Sequence, residues 1–290
     1  MSRIIPRSQV ESFTGSYDAI VCGFGGAGAC AALELRAAGL QVLVLERFSA
    51  GGGSTRLSAC EMYLGGSGGT SLQRDLGIDD SSEDFEQYLM QCFGAFADRA
   101  RVKAFVDGAA EHFDWMEGQG VPYRRSLFPG RDVVTLTGES LQYTGNERAW
   151  PFAARVPPVP RGHLPADAGH DGGKVLMDVV MQRVAEAGAD IRCDHRVTAL
   201  IRDDCGRICG VEVKADNRLQ YLQARSGVGL AMGGFIMNEE LTAQHIPQLT
   251  TFCTRHGNPG DRGDGILLGV AAGGNAIHMG QAFVGVAHYP

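Results

Sequence analysis

The 290 residues of this chain suffice for one large domain or two small ones, and a hydrophobic content of 44% can supply a sizeable core. A net charge of −7, from 26 basic and 33 acidic residues, argues against a nucleic-acid-binding scaffold, which would present a basic face. Glycine, with 41 residues, is the compositional outlier, and its clusters indicate tight turns or backbone that approaches a ligand closely.

The cysteines and the chain's apolar stretches predict a reduced protein without a membrane helix. The eight cysteines form no Cys-x-x-Cys pair and no Cys/His spacing typical of zinc, so we expect buried, reduced thiols in a cytoplasmic protein and no metal site. Residues 1–17 lack the apolar core of a secretory signal. The apolar-rich residues 19–33 are rich in glycine and shorter than the roughly 20 residues of a membrane span.

Strand and helix patterns alternate along the chain, which predicts an α/β fold. Seven prolines make residues 121–172 a loop-rich insertion, and such long loops are often functional. The predicted helices cover 26–38, 83–96, 99–117 and 174–187. The predicted strands cover 18–22 and 41–45, an antiparallel meander at 189–193, 197–202, 208–214 and 219–224, and a further apolar strand at 227–232.

The strongest local signal is the glycine motif Gly23–Gly28, Gly-Phe-Gly-Gly-Ala-Gly. It follows a strand and opens a helix. An acidic residue, Glu46, comes about twenty residues later, at the end of the next strand. Gly23 would allow the tight turn, Gly25 the approach of a pyrophosphate to the helix N-terminus, and Gly28 close helix–strand packing. Glu46 is expected to accept hydrogen bonds from ribose hydroxyls and to repel a 2′-phosphate. The motif alone leaves NAD and FAD open, and a turn with packing value only is the alternative.

Four further motifs follow in chain order. They are Gly52-Gly53-Ser54-Thr55-Arg56-Leu57-Ser58, Arg196-Val197-Thr198-Ala199-Leu200, Ala231-Met232-Gly233-Gly234-Phe235 and Gly263-Asp264-Gly265-Ile266. Together they resemble the fumarate reductase and 3-ketosteroid dehydrogenase family of flavoproteins over nearly the whole chain. The resemblance implies FAD as the cofactor, and a Rossmann-like FAD-binding domain with a parallel sheet and a small antiparallel β-meander.

The resemblance also implies which residues contact the cofactor. In the family the first of these motifs runs along the pyrophosphate and the inner face of the isoalloxazine, and the valine of the second pairs through its main chain with the adenine. Ala59 and Met232 depart from the usual glycine and threonine of the family. The predicted FAD-binding residues are Gly23, Gly25, Gly26, Ala27, Gly28, Glu46, Arg47, Gly53, Ser54, Thr55, Ser58, Ala59, Val197, Met232, Gly233, Gly234 and Asp264.

The domain organisation expected from the resemblance has three parts. Residues 1–16 form an N-terminal extension, residues 17–275 the FAD-binding domain with its proline-rich insertion, and residues 276–290 the start of a substrate or cap domain. Family members are typically much longer. The chain is therefore expected to be the first part of such an enzyme, whether as a truncated gene product, a cloned fragment or a subunit whose complementary chain supplies the cap.

Catalytic residues are predicted less directly. In the ketosteroid branch a tyrosine removes a proton while hydride passes to the flavin, and Tyr143 resembles the position of a substrate-facing tyrosine; a buried ring with a solvated hydroxyl is the alternative. Arg161-Gly162-His163 offers a clamp for a carboxylate or carbonyl, with a surface loop held by local hydrogen bonds as the alternative.

The predicted function is that of a FAD-dependent oxidoreductase acting on a carbon–carbon bond next to a carbonyl, similar to a 3-ketosteroid dehydrogenase with a cyclic ketone as substrate. One alternative is a fumarate-reductase-like ene reductase that acts on an unsaturated carboxylate. Another is a FAD-binding fragment or subunit without activity of its own. The expected partners are a small-molecule substrate and an external electron acceptor or donor, with no nucleic acid.

Overall fold

The computed structural model describes residues 3–131, 134–143, 145–249 and 253–282. The chain divides into two compact units, the first formed by Met1–Ser54 with Met181–Pro290 and the second by Thr55–Val180. In chain order the elements are β1 (Arg3–Pro6), β2 (Gly15–Cys22), α1 (Gly26–Ala37), β3 (Val42–Leu45), α2 (Gly53–Arg56), β4 (Met62–Tyr63), α3 (Ser71–Asp75), α4 (Ser82–Phe93), α5 (Arg99–Gln119), β5 (Leu127–Arg131), β6 (Leu141–Tyr143), β7 (Gly162–His163), α6 (Gly172–Glu186), β8 (Asp190–Arg192), β9 (Arg196–Arg202), β10 (Ile208–Ala215), β11 (Arg218–Leu230), α7 (Glu239–His245) and α8 (Asp264–Ala271).

A seven-stranded sheet in the order β1-β9-β10-β11-β2-β3-β8 forms the centre of the first unit. Strands β11, β2, β3 and β8 are parallel neighbours, whereas β9, β10 and β11 form an antiparallel meander. All four residues of β3 are buried, as is typical of parallel strands covered on both faces. The predicted α/β fold with a parallel sheet and an antiparallel meander is confirmed.

Two strand predictions in this sheet are wrong in detail. The segment at 189–193, predicted as part of the meander, forms β8 and pairs in parallel with β3 at the sheet edge. The strands predicted at 219–224 and 227–232 are one strand, β11, with a register shift between Ala224 and Gly227. Its first half pairs with both β10 and β2, and its last residues pair with β2. A bulge of this kind bends a strand without ending it.

The predicted N-terminal extension contributes a strand to the sheet. Strand β1 pairs in parallel with β9, and Ile5 and Val10 are buried in a small core cluster with Ala199 and Ile201. No strand was predicted there, because four residues that end in a proline carry no alternation of apolar and polar side chains.

The second unit contains a four-stranded sheet in the order β4-β7-β6-β5. Three of these strands lie within the proline-rich residues 121–172, which the sequence predicts as irregular. Helices α4 and α5 belong to the same unit, and each begins at a side-chain cap: the Ser81 hydroxyl accepts the N–H of Asp84, and the Asp98 carboxylate accepts those of Ala100 and Arg101. Such caps satisfy N–H groups that have no partner within the helix.

The thiols and the helices refine two further predictions. All eight cysteines are free; Cys22 and Cys60 are buried, but Cys92 and Cys205 are exposed, so burial was wrongly predicted for the latter two. Of the helices in the described ranges, none combines the length and the apolar character that crossing a membrane requires.

Candidate FAD site

The glycine motif forms a tight turn between β2 and α1 that only glycine can make. Gly23 has a φ of +102°, and a Cβ added there would overlap the carbonyl oxygen of Ala231. A Cβ added at Gly28 would overlap the carbonyl oxygen of Gly23. Helix α1 therefore begins in close contact with the end of the sheet.

The N-terminus of α1 has the properties of an anion site. Gly25 is the N-cap and makes no side-chain capping bond, and the first turn contains no acidic residue. Gly26 and Ala27 belong to this turn, and Ala27 is exposed. Because the first N–H groups of a helix lack intrahelical partners and the helix dipole favours negative charge, this turn can bind a phosphate group.

The second glycine loop lies against the first through its backbone. The N–H of Gly52 donates to the carbonyl oxygen of Phe24 at 2.7 Å. A Cβ added at Gly53 would lie 3.4 Å from the Cα of Gly25. The two loops predicted to follow the cofactor pyrophosphate therefore meet at Gly25 and Gly53, where no side chain fills the space.

Glu46 ends β3 and is 7% exposed. Its Oε2 accepts the N–H of Phe24 at 3.0 Å, and its Oε1 accepts the N–H of Phe48 at 2.9 Å. Each carboxylate oxygen can accept a second hydrogen bond. Glu46 thus supports the glycine turn and keeps acceptor capacity for ribose hydroxyls.

Ser54 is joined to a carboxylate that the sequence analysis did not single out. The Ser54 hydroxyl donates to Oδ2 of Asp261 and accepts the N–H of Asn258 at 2.8 Å. Asp261 lies three residues before Asp264, in a segment without helical or strand periodicity, so no pattern identified it.

Two other predicted cofactor residues, Arg47 and Asp264, form an ion pair. Oδ2 of Asp264 lies 3.2 Å from Nη1 of Arg47 and 3.2 Å from Nη2 of Arg196. Asp264 is the first residue of α8, where the helix dipole also favours its negative charge. The cluster holds the segment after Glu46, the start of β9 and the start of α8 together.

The motif that contains Met232, Gly233 and Gly234 follows β11 and contacts the residue before α8. The carbonyl oxygen of Gly234 accepts the N–H of Gly263 at 2.9 Å. Met232 packs on the core of the sheet, and a Cβ added at Gly265 would lie 3.0 Å from its Cβ. The side chain of Val197 is buried in the same core. Only the main chain of this residue can therefore form hydrogen bonds with a ligand.

Thr55, Ser58 and Ala59 belong to the second unit, where they pack on the start of α6. The Ser58 hydroxyl donates to the carbonyl oxygen of Thr55 at 2.8 Å. A Cβ added at Gly172 would overlap the carbonyl oxygen of Ala59, and one added at Gly173 would overlap that of Thr55. The two glycines at the start of α6 are therefore required by this packing, a role that the sequence analysis missed.

Tyr143 ends β6 with its ring half-buried. The guanidinium of Arg148 lies 3.5 Å from the ring centroid, a cation–π contact that fixes the orientation of the ring.

Arg161 and His163 are both fully buried, so the interpretation of their segment as a surface loop is wrong. Arg161 forms a bidentate ion pair with Asp80, with Nε–Oδ2 at 2.8 Å and Nη2–Oδ1 at 2.6 Å. Nδ1 of His163 lies 2.8 Å from the carbonyl oxygen of Arg161, and Nε2 lies 2.9 Å from Oγ1 of Thr70. Burial lowers the pKa of His163 to about 4, so the imidazole is neutral at pH 7.

The residues of the first unit fit a dinucleotide. The N-terminus of α1 lies beside two glycine loops whose backbones touch, and an acidic residue with spare acceptor capacity ends the next strand. Within the described ranges, no three His, Cys, Asp or Glu side chains are grouped as metal ligands. These features define a dinucleotide-binding protein of the Rossmann-like class.

Comparison with known proteins specifies the family. Residues 18–289 match the family described as FAD binding domain. The chain belongs to this family of FAD-binding oxidoreductases, and the resemblance to fumarate reductases and 3-ketosteroid dehydrogenases is confirmed.

The relatives include members of both branches. The chain is 33% identical over 201 residues to a 3-oxo-5-alpha-steroid 4-dehydrogenase of Comamonas testosteroni, covering 68% of this chain and 37% of the relative. It is 26% identical over 266 residues to an NADH:fumarate oxidoreductase of Klebsiella pneumoniae, covering 92% of this chain and 25% of the relative.

Among solved structures, a 3-ketosteroid-Δ4-(5α)-dehydrogenase of Rhodococcus jostii RHA1 in complex with 4-androstene-3,17-dione has a TM-score of 0.90 and 34% identity to this chain. The match covers 96% of this chain and 58% of that one. The chain thus spans between a quarter and three fifths of the length of these three relatives.

Proposed function

We propose that this chain is the FAD-binding part of an oxidoreductase that acts on the carbon–carbon bond next to a carbonyl of an apolar cyclic ketone, as 3-ketosteroid dehydrogenases do. The observation that carries the proposal is the TM-score of 0.90 over 96% of the chain with a ketosteroid dehydrogenase. A flavocytochrome c3 fumarate reductase, by comparison, gives 0.73 over 90%.

The cofactor contacts follow from the site. The pyrophosphate of FAD is assigned to the N-terminus of α1 and the two glycine loops, the adenosine ribose to Glu46, and the adenine to the main chain of Val197. Thr55, Ser58, Ala59, Met232, Gly233, Gly234 and Asp264 complete the assigned set, with Arg47 paired to Asp264. When bound, FAD supplies the redox chemistry, and the residues of this chain bind it, orient it and hold protons near the substrate.

Tyr143 is proposed as the substrate-facing tyrosine. The support is its resemblance in position, together with a ring held by Arg148. Replacing Tyr143 with Phe removes only the hydroxyl and leaves the ring and its cation in place. If Tyr143 transfers a proton in the reaction, the Tyr143→Phe variant should have a kcat about 10²- to 10⁴-fold lower than the wild type, with FAD binding unchanged.

Tyr123 provides a matched control in the same unit. Among the residues that the structure describes, its buried hydroxyl has no hydrogen-bond partner, and its ring packs on Phe113 with centroids 4.6 Å apart. Tyr123→Phe therefore removes a hydroxyl without removing a hydrogen bond, and turnover should stay at the wild-type value. An equal loss of turnover in both variants would contradict the assignment of Tyr143.

The activity test uses the whole chain loaded with FAD. If the residues of this chain complete the substrate site, dye reduction should depend on a 3-ketosteroid, and reduced viologen should not be oxidised with fumarate. Turnover with fumarate alone would favour the second candidate, an ene reductase, which the match to an NADH:fumarate oxidoreductase over 92% of the chain supports. FAD binding without turnover of either substrate would favour the third, a cofactor-binding fragment or subunit that needs a complementary chain.

The remaining assignments belong to the same proposal. The partners are the ketone, an external electron acceptor and, for the third candidate, a chain that supplies the cap; the location is the cytoplasm. The proposed FAD-binding domain covers 17–275, and 276–290 is assigned to the substrate or cap domain. Residues 283–290 of that last segment lie outside the described residues.

A further inference from the structure

Asp261 lies where three cofactor loops of the first unit meet. Its Oδ2 accepts the hydroxyl of Ser54, from the second glycine loop. Its Oδ1 lies beside Gly233, where an added Cβ would overlap it and where φ is +74°. Its carbonyl oxygen accepts the N–H of Met237 at 2.9 Å, and its own N–H donates to Asn258 at 2.9 Å.

The hydrogen bonds of Ser54 restrict what this residue can offer to FAD. A serine hydroxyl has one hydrogen to donate. A carboxylate is an acceptor only, so the hydrogen between Ser54 and Asp261 must come from Ser54. The oxygen of Ser54 also accepts the N–H of Asn258. Ser54 therefore has no hydrogen left for a phosphate oxygen, which would itself need a donor.

Asp261 has no other strong partner that explains its position. It is 9% exposed, and no Arg or Lys of the described ranges forms an ion pair with its carboxylate. The arginines nearby pair with Asp264 and Glu239 instead. Burying a carboxylate without a cation costs free energy that hydrogen bonds must offset, and the Ser54 hydroxyl donates one such bond.

We propose that Asp261 is a positioning residue of the FAD site, which directs the Ser54 hydroxyl away from the pyrophosphate and fixes the second glycine loop relative to the loop at Gly233. The phosphates of FAD are then bound by backbone N–H groups and the α1 terminus, and Ser54 acts through its loop. This inference concerns cofactor binding, and it stands or falls independently of the substrate.

Two substitutions at Asp261 separate its charge from its hydrogen bond. Asp261→Asn removes the negative charge but leaves an oxygen that can accept from Ser54, so FAD affinity should equal or slightly exceed that of the wild type. Asp261→Ala removes both. We expect Asp261→Ala to bind FAD about 5- to 50-fold more weakly. Because losing the negative charge by itself would favour an anionic ligand, this weaker binding must come from the lost hydrogen bond.

The experiment titrates FAD into the apoprotein and follows flavin fluorescence, with melting of each apoprotein recorded by circular dichroism. Ser54→Ala should weaken FAD binding as Asp261→Ala does, and the double variant should be within about twofold of the weaker single variant, because both changes remove one hydrogen bond. Glu240→Ala, an exposed carboxylate at the start of α7, should bind FAD as the wild type does.

Three results would overturn the proposal. The first is unchanged or tighter FAD binding in Asp261→Ala, which would mean that Ser54 contacts the phosphates directly when released. The second is a double variant whose loss of FAD affinity is the product of the two single losses. The third is a lower apoprotein melting temperature with unchanged FAD affinity, which would mean a structural role alone. If Asp261→Ala does not fold, Ser54→Ala and Asp261→Asn carry the same test. Binding lost in Asp261→Asn as well as in Ser54→Ala would then contradict it.

Discussion

Glu46 shows how one residue can serve both the fold and the cofactor. Its two carboxylate oxygens accept the N–H groups of Phe24, inside the glycine motif, and Phe48, just after β3. The same residue is predicted to contact the adenosine ribose. The shape of the glycine turn therefore depends on the side chain to which ribose recognition is also assigned.

Glu46→Ala should weaken FAD binding by roughly 1–3 kcal/mol, and it should lower the free energy of unfolding of the apoprotein by a similar amount, because the N–H groups of Phe24 and Phe48 lose their acceptor. Flavin titration and urea unfolding measure the two effects separately. Lower stability with an unchanged dissociation constant would leave Glu46 a purely structural residue.

Gly28→Ala should abolish FAD binding. The added Cβ would overlap the carbonyl oxygen of Gly23, so α1 must move away from the turn that presents its N-terminus to the phosphates. Gly269→Ala is the matched control, because it also lies in a helix of the first unit and its added Cβ meets Leu230 at an ordinary 3.9 Å.

The control should keep its FAD affinity and gain up to about 1 kcal/mol in stability, the advantage of alanine over glycine in a helix interior. The measurements are FAD titration and thermal melting of both variants. FAD binding by Gly28→Ala at wild-type affinity would show that the helix does not have to approach the turn so closely.

At the scale of elements, the sequence predicted best where local pattern and tertiary role agree. The apolar strands β2 and β3, the glycine turn and α1 were all predicted within a few residues, because each has a strong pattern of its own. Strand β8 and the bent β11 were misassigned, because strand partners and a bulge depend on contacts distant in sequence.

The candidate site shows the same limit. Gly23, Gly28 and Glu46 were identified because their motif has a fixed spacing. Asp261 was missed because its role depends on a contact with Ser54, which lies 207 residues away. The burial of Arg161 was also missed, since proline-rich sequence resembles a surface loop and the partner, Asp80, comes from another part of the chain.

His163, in β7, makes the second unit sensitive to acid. Its Nδ1 faces a carbonyl oxygen and so carries the hydrogen, and its Nε2 faces the Thr70 hydroxyl. Burial lowers its pKa to about 4 in the folded chain, against about 6.5 when unfolded. The neutral side chain therefore makes its full contribution to the free energy of unfolding above pH 6.5. This contribution falls as the pH drops from 6.5 towards 4.

Between pH 7 and pH 4.5 the wild type should lose about 2 to 3 kcal/mol of unfolding free energy through this residue. His163→Asn should be less stable at pH 7, where it leaves a gap and weaker hydrogen bonds, but its stability should depend less on pH. Urea unfolding at both pH values checks this. Parallel losses in the two proteins would mean that His163 does not titrate in this range.

At the scale of the whole molecule, the chain matches enzymes of two branches over nearly the same extent. It covers 92% of its length in the match to an NADH:fumarate oxidoreductase and 96% in the match to a ketosteroid dehydrogenase structure. What the two branches share over that extent is the binding of FAD. The comparisons therefore specify the cofactor more closely than the substrate. Measuring FAD binding is for this reason a more direct test of the whole chain than measuring turnover.

FAD should stabilise the chain by mass action. A ligand that binds only the folded state adds about 2.7 kcal/mol at 100 times its dissociation constant, which corresponds to a rise in Tm of roughly 4–5 °C for a chain of this size. Circular dichroism at 222 nm avoids interference from flavin fluorescence. ADP, which carries only the adenosine half, should raise Tm less at the same concentration, and FMN should not raise it.

NAD and NADP complete the comparison. The negative charge of Glu46 at the end of β3 should exclude the 2′-phosphate of NADP. NAD has the pyrophosphate but lacks the isoalloxazine, along whose inner face the second glycine loop is also predicted to run. Gly28→Ala should show no shift with any of these ligands. A rise in Tm with NAD equal to that with FAD would contradict the predicted contact of this loop with the isoalloxazine, because the shared ADP half would then account for all of the binding energy.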